Sequence, residues 1–162
     1  MSSSERKILI AFFSRTGNTK AVAEVISKET GGYLYEIIPE KPYDGSYVAT
    51  VAKAKIENLT DARPAIANLP DDISGYDTVF IGFPNWWGSA PNIMATFTEK
   101  YDWQGKTIIP FFTHGGGGLQ RCDSGIRKLI PNAGFKKYLC LHGKKVQESR
   151  EEIISWLKSL DL

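Results

Sequence analysis

Cysteine is scarce in this 162-residue chain: Cys122 and Cys140 are the only two, and they fall outside any CxxC or metal-ligand spacing. That excludes a disulfide-stapled scaffold and a thiolate metal site, and makes a reducing cytoplasm the expected location. An excess of one charge is also missing. The 20 Lys and Arg residues stand against 18 Asp and Glu, interleaved except in pairs such as Lys136-Lys137 and Lys144-Lys145. With a net charge of only +2, nucleic acid is not expected as a partner. No apolar run approaches the roughly 20 residues of a membrane span, so no membrane partner is expected either. The polar start Met1–Lys7 leads into an apolar stretch too short for a signal-peptide core. Two nucleotide fingerprints are missing from the first strand-to-helix loop, residues 14–19: GxGxxG and the Gly-Lys-Ser/Thr ending of a nucleoside-triphosphate loop.

What is present fits one domain over residues 1–162, with residues 1–6 as a flexible lead-in. A chain of this size buries enough surface to hold a core without staples, and 42% of it is apolar. Lys7–Phe13 is an almost unbroken apolar run, the pattern of a strand buried on both faces. Similar runs recur at Tyr33–Ile38, Thr78–Phe83, Thr107–Thr113 and Lys136–Leu141. Between them lie helically spaced apolar residues: Val22, Val25 and Ile26; Val48, Val51, Ala52, Ile56 and Leu59; Ile126, Leu129 and Ile130; and Val146, Ile153, Ile154, Leu157 and Leu160. A further helix is expected over 91–100, with Pro91 in a tolerated first-turn position. Strands alternating with helices make a parallel sheet with right-handed crossovers, a doubly wound three-layer α/β domain. The long segment from Pro39 to Tyr76 is expected to hold one helix and a surface loop. Pro110 cannot donate to a ladder and predicts a bulge or irregularity near the end of the fourth strand.

Ligands of open parallel sheets bind beyond the carboxyl ends of the strands, where the order of connection reverses. Three loops there have unusual composition. The first, Ser14-Arg15-Thr16-Gly17-Asn18-Thr19, joins a buried strand to a helix. Its hydroxyls and first-turn N–H groups make a cradle for a phosphate, aided by the helix dipole. The bland alternative is a Ser/Thr-capped helix start. The second, Pro84-Asn85-Trp86-Trp87-Gly88, sets two large rings where they could stack on a flat heteroaromatic ligand or simply cover the sheet end. The third, Thr113-His114-Gly115-Gly116-Gly117, removes side chains where a ligand edge must come close, unless the glycines are only a flexible link. Together they describe one site with a phosphate at the first loop and a planar ring between the other two.

Among single residues, His114 is a contact residue with a possible acid–base role. Cys122 is expected to be an unreactive small side chain despite lying near a helix start, and Cys140 a core residue. His142 is expected to be structural or exposed, while Trp103 and Trp156 are packing residues.

With these motifs in place, the chain resembles the flavodoxin family, and most closely the short flavodoxin-like proteins whose first loop reads Ser-x-Thr-Gly-Asn-Thr. The resemblance rests on Ser14 to Thr19, Pro-x-Trp-Trp-Gly at 84–88 and Thr-x-Gly-Gly at 113–116, and it covers nearly the whole chain. It implies a five-stranded sheet of order 2-1-3-4-5 and a non-covalent flavin mononucleotide (FMN). By the same resemblance, Ser14, Arg15, Thr16, Gly17, Asn18 and Thr19 hold the phosphate. Pro84, Asn85, Trp86, Trp87 and Gly88 flank the isoalloxazine, and Thr113, His114, Gly115, Gly116 and Gly117 line its pyrimidine edge.

Such a protein exchanges electrons with a redox partner protein or a small-molecule acceptor, as a monomer or weak dimer. Two functions compete: an electron carrier, and an FMN-dependent reductase that takes hydride from NAD(P)H and passes it to a quinone. Near-neutral charge weighs against the acidic docking surface of a standard carrier. Phosphorelay receiver domains share the sheet order but need acidic residues where this chain has Phe12-Phe13-Ser14 and Phe83-Pro84.

Overall fold

The computed structural model describes residues 7–43 and 45–162, so the lead-in expected over residues 1–6 lies outside the described residues. Its elements follow in the order β1 (Ile8–Phe12), α1 (Asn18–Thr30), β2 (Tyr33–Glu36), α2 (Tyr47–Thr60), β3 (Thr78–Pro84), α3 (Asn92–Thr98), β4 (Thr107–His114), α4 (Cys122–Leu129), β5 (Gly134–Phe135), β6 (Leu139–His142), a 3-10 helix (Gly143–Glu148) and α5 (Arg150–Ser159). All the strand pairs are parallel, in the order β2-β1-β3-β4, with β5 and β6 both pairing the far side of β4. The sheet order is that of the expected 2-1-3-4-5 fold, with the fifth position filled by two short strands instead of one.

Pro110 explains that break. Lys136 donates its N–H to the carbonyl of Ile108 at 3.0 Å, and the next rung of a parallel ladder would run from residue 110 back to Lys136. Proline has no N–H to give. Pairing stops after Ile108↔Phe135 and resumes at Phe111↔Leu139, one residue out of step. The single strand expected over Lys136–Leu141 is therefore corrected to two pieces flanking Lys136–Tyr138. The last helix is corrected in the same region, because Val146 belongs to the 3-10 helix and α5 begins only at Arg150.

Alternating residues of each strand feed two cores, one on each face of the sheet. Ile10, Phe12, Phe80, Ile109 and Phe111 meet Val22 and Ile26 of α1 and Ile153 and Trp156 of α5. Leu9, Ala11, Ile81, Phe83 and Phe112 meet Ile93 and Phe97 of α3 and Ile126 of α4. Both expected packing tryptophans are buried, with Trp103 Nε1 donating to the Thr98 carbonyl and Trp156 Nε1 to the Lys137 carbonyl.

Helix α2 departs from expectation. Ser46 caps it by accepting the Ala49 N–H, and it spans the residues whose spacing predicts it. Yet it buries only the small Thr50 and Ala54, while Val48, Ala52, Ile56 and Leu59 face outward. Periodicity shows that a helix carries an apolar stripe, not what that stripe faces. The loop after it runs back along the sheet edge. There Glu40 donates to Ala65, Ala67 donates to Ile38, and the Asn68 amide both accepts from Ile38 N and donates to Glu36 O.

Candidate functional site

In-register pairing sets the ends of β1, β3 and β4 at one edge of the sheet: Phe12 lies beside Gly82, and Pro84 beside Thr113. The loops leaving those ends enclose a cavity of about 490 Å³, within the usual range for a small-molecule site. Ser14, Arg15, Thr16, Asn18 and Thr19 form one wall, Pro84, Asn85, Trp86 and Trp87 a second, and Thr113, His114 and Gly115 a third.

The first loop offers donors. Gly17 precedes α1 at φ 99° and supplies no side-chain cap, so the first-turn N–H groups are left to other acceptors. Ser14 Oγ accepts one amide from the loop, Gly17 at 3.1 Å, and one from the first turn of α1, Lys20 at 3.2 Å. Among the described residues, no protein acceptor meets the N–H groups of Thr16, Asn18 and Thr19. Arg15 bends toward α2, its Nε 3.0 Å from Thr50 Oγ1. Cationic Arg15 and Lys144 line the cavity, and among the described residues no Asp or Glu does. Amide donors and cations without carboxylates are the chemistry of a phosphate site, so the residues present fit that end of FMN.

The two tryptophans have different surroundings. Trp86 is packed edge-on against Phe13 and Tyr43, with centroids 5.3 and 5.0 Å apart, and is half-buried. Tyr43 in turn donates to Glu57 Oε1 at 2.6 Å; burial, then that hydrogen bond, pushes its pKa well above the usual tyrosine value. Trp87 is 44% exposed, with Nε1 on the Val51 carbonyl at 3.2 Å and the Lys55 ammonium 4.4 Å above its ring. Trp86 and Ser89 bond each other's backbone in both directions, so Trp87 and Gly88 are the central residues of a tight hairpin. Both take positive φ, 56° and 82°, as a type I′ turn requires.

The walls are stitched together. Thr19 Oγ1 and Thr113 Oγ1 are 2.8 Å apart, and Asn85 donates its N–H to Thr113 O at 2.7 Å. The Asn85 side chain also donates to Gly118 O and Gln120 Oε1, both at 2.9 Å. His114 Nδ1 accepts the Gly116 N–H at 3.0 Å, and His142 Nδ1 accepts the Lys144 N–H at 3.1 Å. Burial, then the neighbouring His142, lowers the pKa of His114 from its ordinary 6.5.

Four expected site residues do not line the cavity: Gly17, Gly88, Gly116 and Gly117. Each has a backbone role instead. Gly17 opens α1, Gly88 completes the turn and accepts from Arg121 N, Gly116 closes the loop onto His114, and Gly117 lies against the Gln120 side chain. Conversely, two further walls come from outside the three loops. Tyr47, Thr50, Val51 and Ala54 of α2 form one, and His142, Gly143 and Lys144 form the other. Cys122 is buried at the start of α4, and desolvation pushes its thiol pKa up to about 12, which leaves it unreactive.

The Flavodoxin family model matches residues 7–160. The chain belongs to the flavodoxin family. No curated protein matches it. Among solved structures, a protein from Bacteroides uniformis ATCC 8492 assigned as a flavoprotein is 34% identical, with 94% of this chain and 98% of that one covered and a TM-score of 0.84. A counterpart from Bacteroides eggerthii DSM 20697 is also 34% identical, covering 96% and 98%, with a TM-score of 0.83. The flavoprotein of Lactobacillus acidophilus NCFM, solved in complex with FMN, shares the fold of this chain at 23% identity, 88% and 97% coverage and a TM-score of 0.73. No helix among the described residues is long and apolar enough to cross a membrane.

Proposed function

We propose that this flavodoxin-family chain transfers electrons through a non-covalently bound FMN. The cofactor itself follows from the family and from the fit of the cavity, and the more distant Lactobacillus flavoprotein was solved holding the same group. When bound, FMN supplies the redox chemistry, while the protein supplies orientation and electrostatics. Ser14, Thr16, Asn18 and Thr19 hold the phosphate, Arg15 and Lys144 balance its charge, and Trp87 faces the ring system. Thr113, His114 and Gly115 close the opposite side.

The observation that carries the electron-transfer reading is the form of the cavity. It is apolar on its tryptophan side, cationic at its phosphate end and open to solvent beside Trp87, so a redox partner reaches it at the surface. Titration with FMN, followed by the flavin spectrum, tests the cofactor, and a colourless protein that leaves FMN fluorescence unquenched would overturn it. The carrier role is tested separately by mixing the FMN-loaded protein with NAD(P)H and a quinone. Little turnover without a second protein is the expected result, and steady oxidation of NAD(P)H would make it a reductase instead.

A further inference from the structure

The apolar stripe of α2 continues the outer wall of the cavity. Tyr47 and Val51 line the cavity itself, and the next positions around the helix are Val48, Ala52, Lys55, Ile56 and Leu59, all exposed. At 1.5 Å per residue the stretch from Val48 to Leu59 runs for about 16 Å. Its aliphatic members are strongly exposed, with Val48 at 75%, Ile56 at 62% and Leu59 at 73% of their surface open. Exposed apolar surface of this extent beside a ligand cavity marks a contact surface.

Its charge has one sign where it meets the cavity. Lys55 sits over the Trp87 ring at 4.4 Å, and Arg121 Nη2 donates to the Trp87 carbonyl at 3.2 Å, so one cation covers the exposed ring and a second is tied to the same residue's backbone. Among the described residues neither is paired with a carboxylate. The acids of the same helix end are already engaged, Glu57 by Tyr43 OH and Asp61 by Arg63. A second copy of the chain would therefore bring more cations to this face and no unengaged acid from α2. A small anion would occupy the cavity mouth but leave the stripe uncovered.

We propose that α2 and Trp87 form the docking face for an acidic electron-carrier protein, whose carboxylates surround an apolar patch of its own. This rests on the electron-transfer reading and names the partner's chemistry. In each productive encounter one electron leaves the carrier's reduced centre and enters the oxidised flavin, so the carrier is oxidised and the flavin reduced. Apolar contact along α2 supplies affinity, while Lys55 and Arg121 steer and orient the encounter.

Docking does not need the flavin, so it is tested on the FMN-free protein. The probe is a plant-type [2Fe–2S] ferredoxin, an acidic carrier, titrated calorimetrically at about 50 and about 300 mM salt, with basic cytochrome c as the control. The expected result is ferredoxin binding that weakens about tenfold at the higher salt, and no binding of cytochrome c. Lys55→Glu and Arg121→Glu each weaken it about tenfold, and the double substitution Val48→Asp, Ile56→Asp abolishes it, while circular dichroism shows all variants folded. Salt-independent or absent ferredoxin binding, or binding of cytochrome c instead, would overturn the proposal. So would a wild-type dimer in sedimentation that Ile56→Asp dissociates. If ferredoxin binds but FMN does not, the docking face stands and the flavin reading fails.

Discussion

His114 and His142 are register partners at the ends of β4 and β6, with ring centroids 5.0 Å apart and each Nδ1 accepting a backbone N–H two residues downstream. An Nδ1 that accepts cannot also carry a proton, so in this geometry the neutral His114 ring carries its proton on Nε2.

Protonating His114 at Nδ1 breaks its bond to Gly116, and its folded-state pKa is depressed by burial first and His142 second. A depressed value means that the unfolded chain binds the proton more readily, so stability rises with pH across the window between the two values. Thermal midpoints should therefore be flat above about pH 7.5 and fall as the pH drops below the ordinary 6.5 toward the lowered folded value. His114→Asn, whose Oδ1 keeps the acceptor without titrating, should flatten that slope, measured by melting curves from pH 5 to 8.

The tryptophans should separate cleanly. Trp87→Ala removes an exposed ring at the cavity mouth and should weaken FMN binding about ten- to hundredfold, the scale of one aromatic stacking contact, with little change in melting. Trp86→Ala removes the ring packed on Phe13 and Tyr43 and should cost about 2 kcal/mol of stability. FMN fluorescence titration and urea denaturation of both variants read the two effects.

In the first loop, Ser14 and Thr16 should behave differently. Ser14→Ala leaves the amides of Gly17 and Lys20 without their acceptor and should cost about 1 kcal/mol as well as affinity. The Thr16 hydroxyl makes no hydrogen bond to the protein among the described residues, so Thr16→Ala should lower FMN affinity while leaving the denaturation midpoint in place.

Gly143 has no positive φ to require glycine, but a β-carbon there would lie 2.5 Å from Asn18 Nδ2. Gly143→Ala should swing the Asn18 side chain away from the phosphate loop, weakening FMN binding with a stability loss below about 1 kcal/mol. Gly82→Ala is the contrasting case. Its β-carbon would run into the buried Phe111 ring, and it should destabilise the fold by about 2 kcal/mol or more.

Buried strands were legible because runs such as Thr78–Phe83 have no polar face, and the three loops were legible because their composition has little use inside a regular element. The irregularity that Pro110 predicts is displaced: β4 itself runs unbroken from Thr107 to His114 in register with β3, and it is the neighbour on its other side that splits into β5 and β6, because the missing donor faces that side. Two walls of the cavity gave no local signal. Val51 and Ala54 have the spacing of core residues, and His142–Lys144 reach the site only because β6 lies beside β4. Likewise, the sequence charge balance hides a local asymmetry, since Arg15 and Lys144 line the cavity and no acid among the described residues does.

The interruption at Pro110 also bears on how the molecule behaves in a crowded solution. An open sheet edge is a template on which another chain can add a strand, and long flat edges seed aggregation. Here one edge is broken into pieces of two and four residues, and the other is the four-residue β2, its far end closed by the Asn68 amide. Neither offers an uninterrupted ladder for a stray strand, so the proline that weakens the internal pairing also keeps the sheet from growing beyond its own chain.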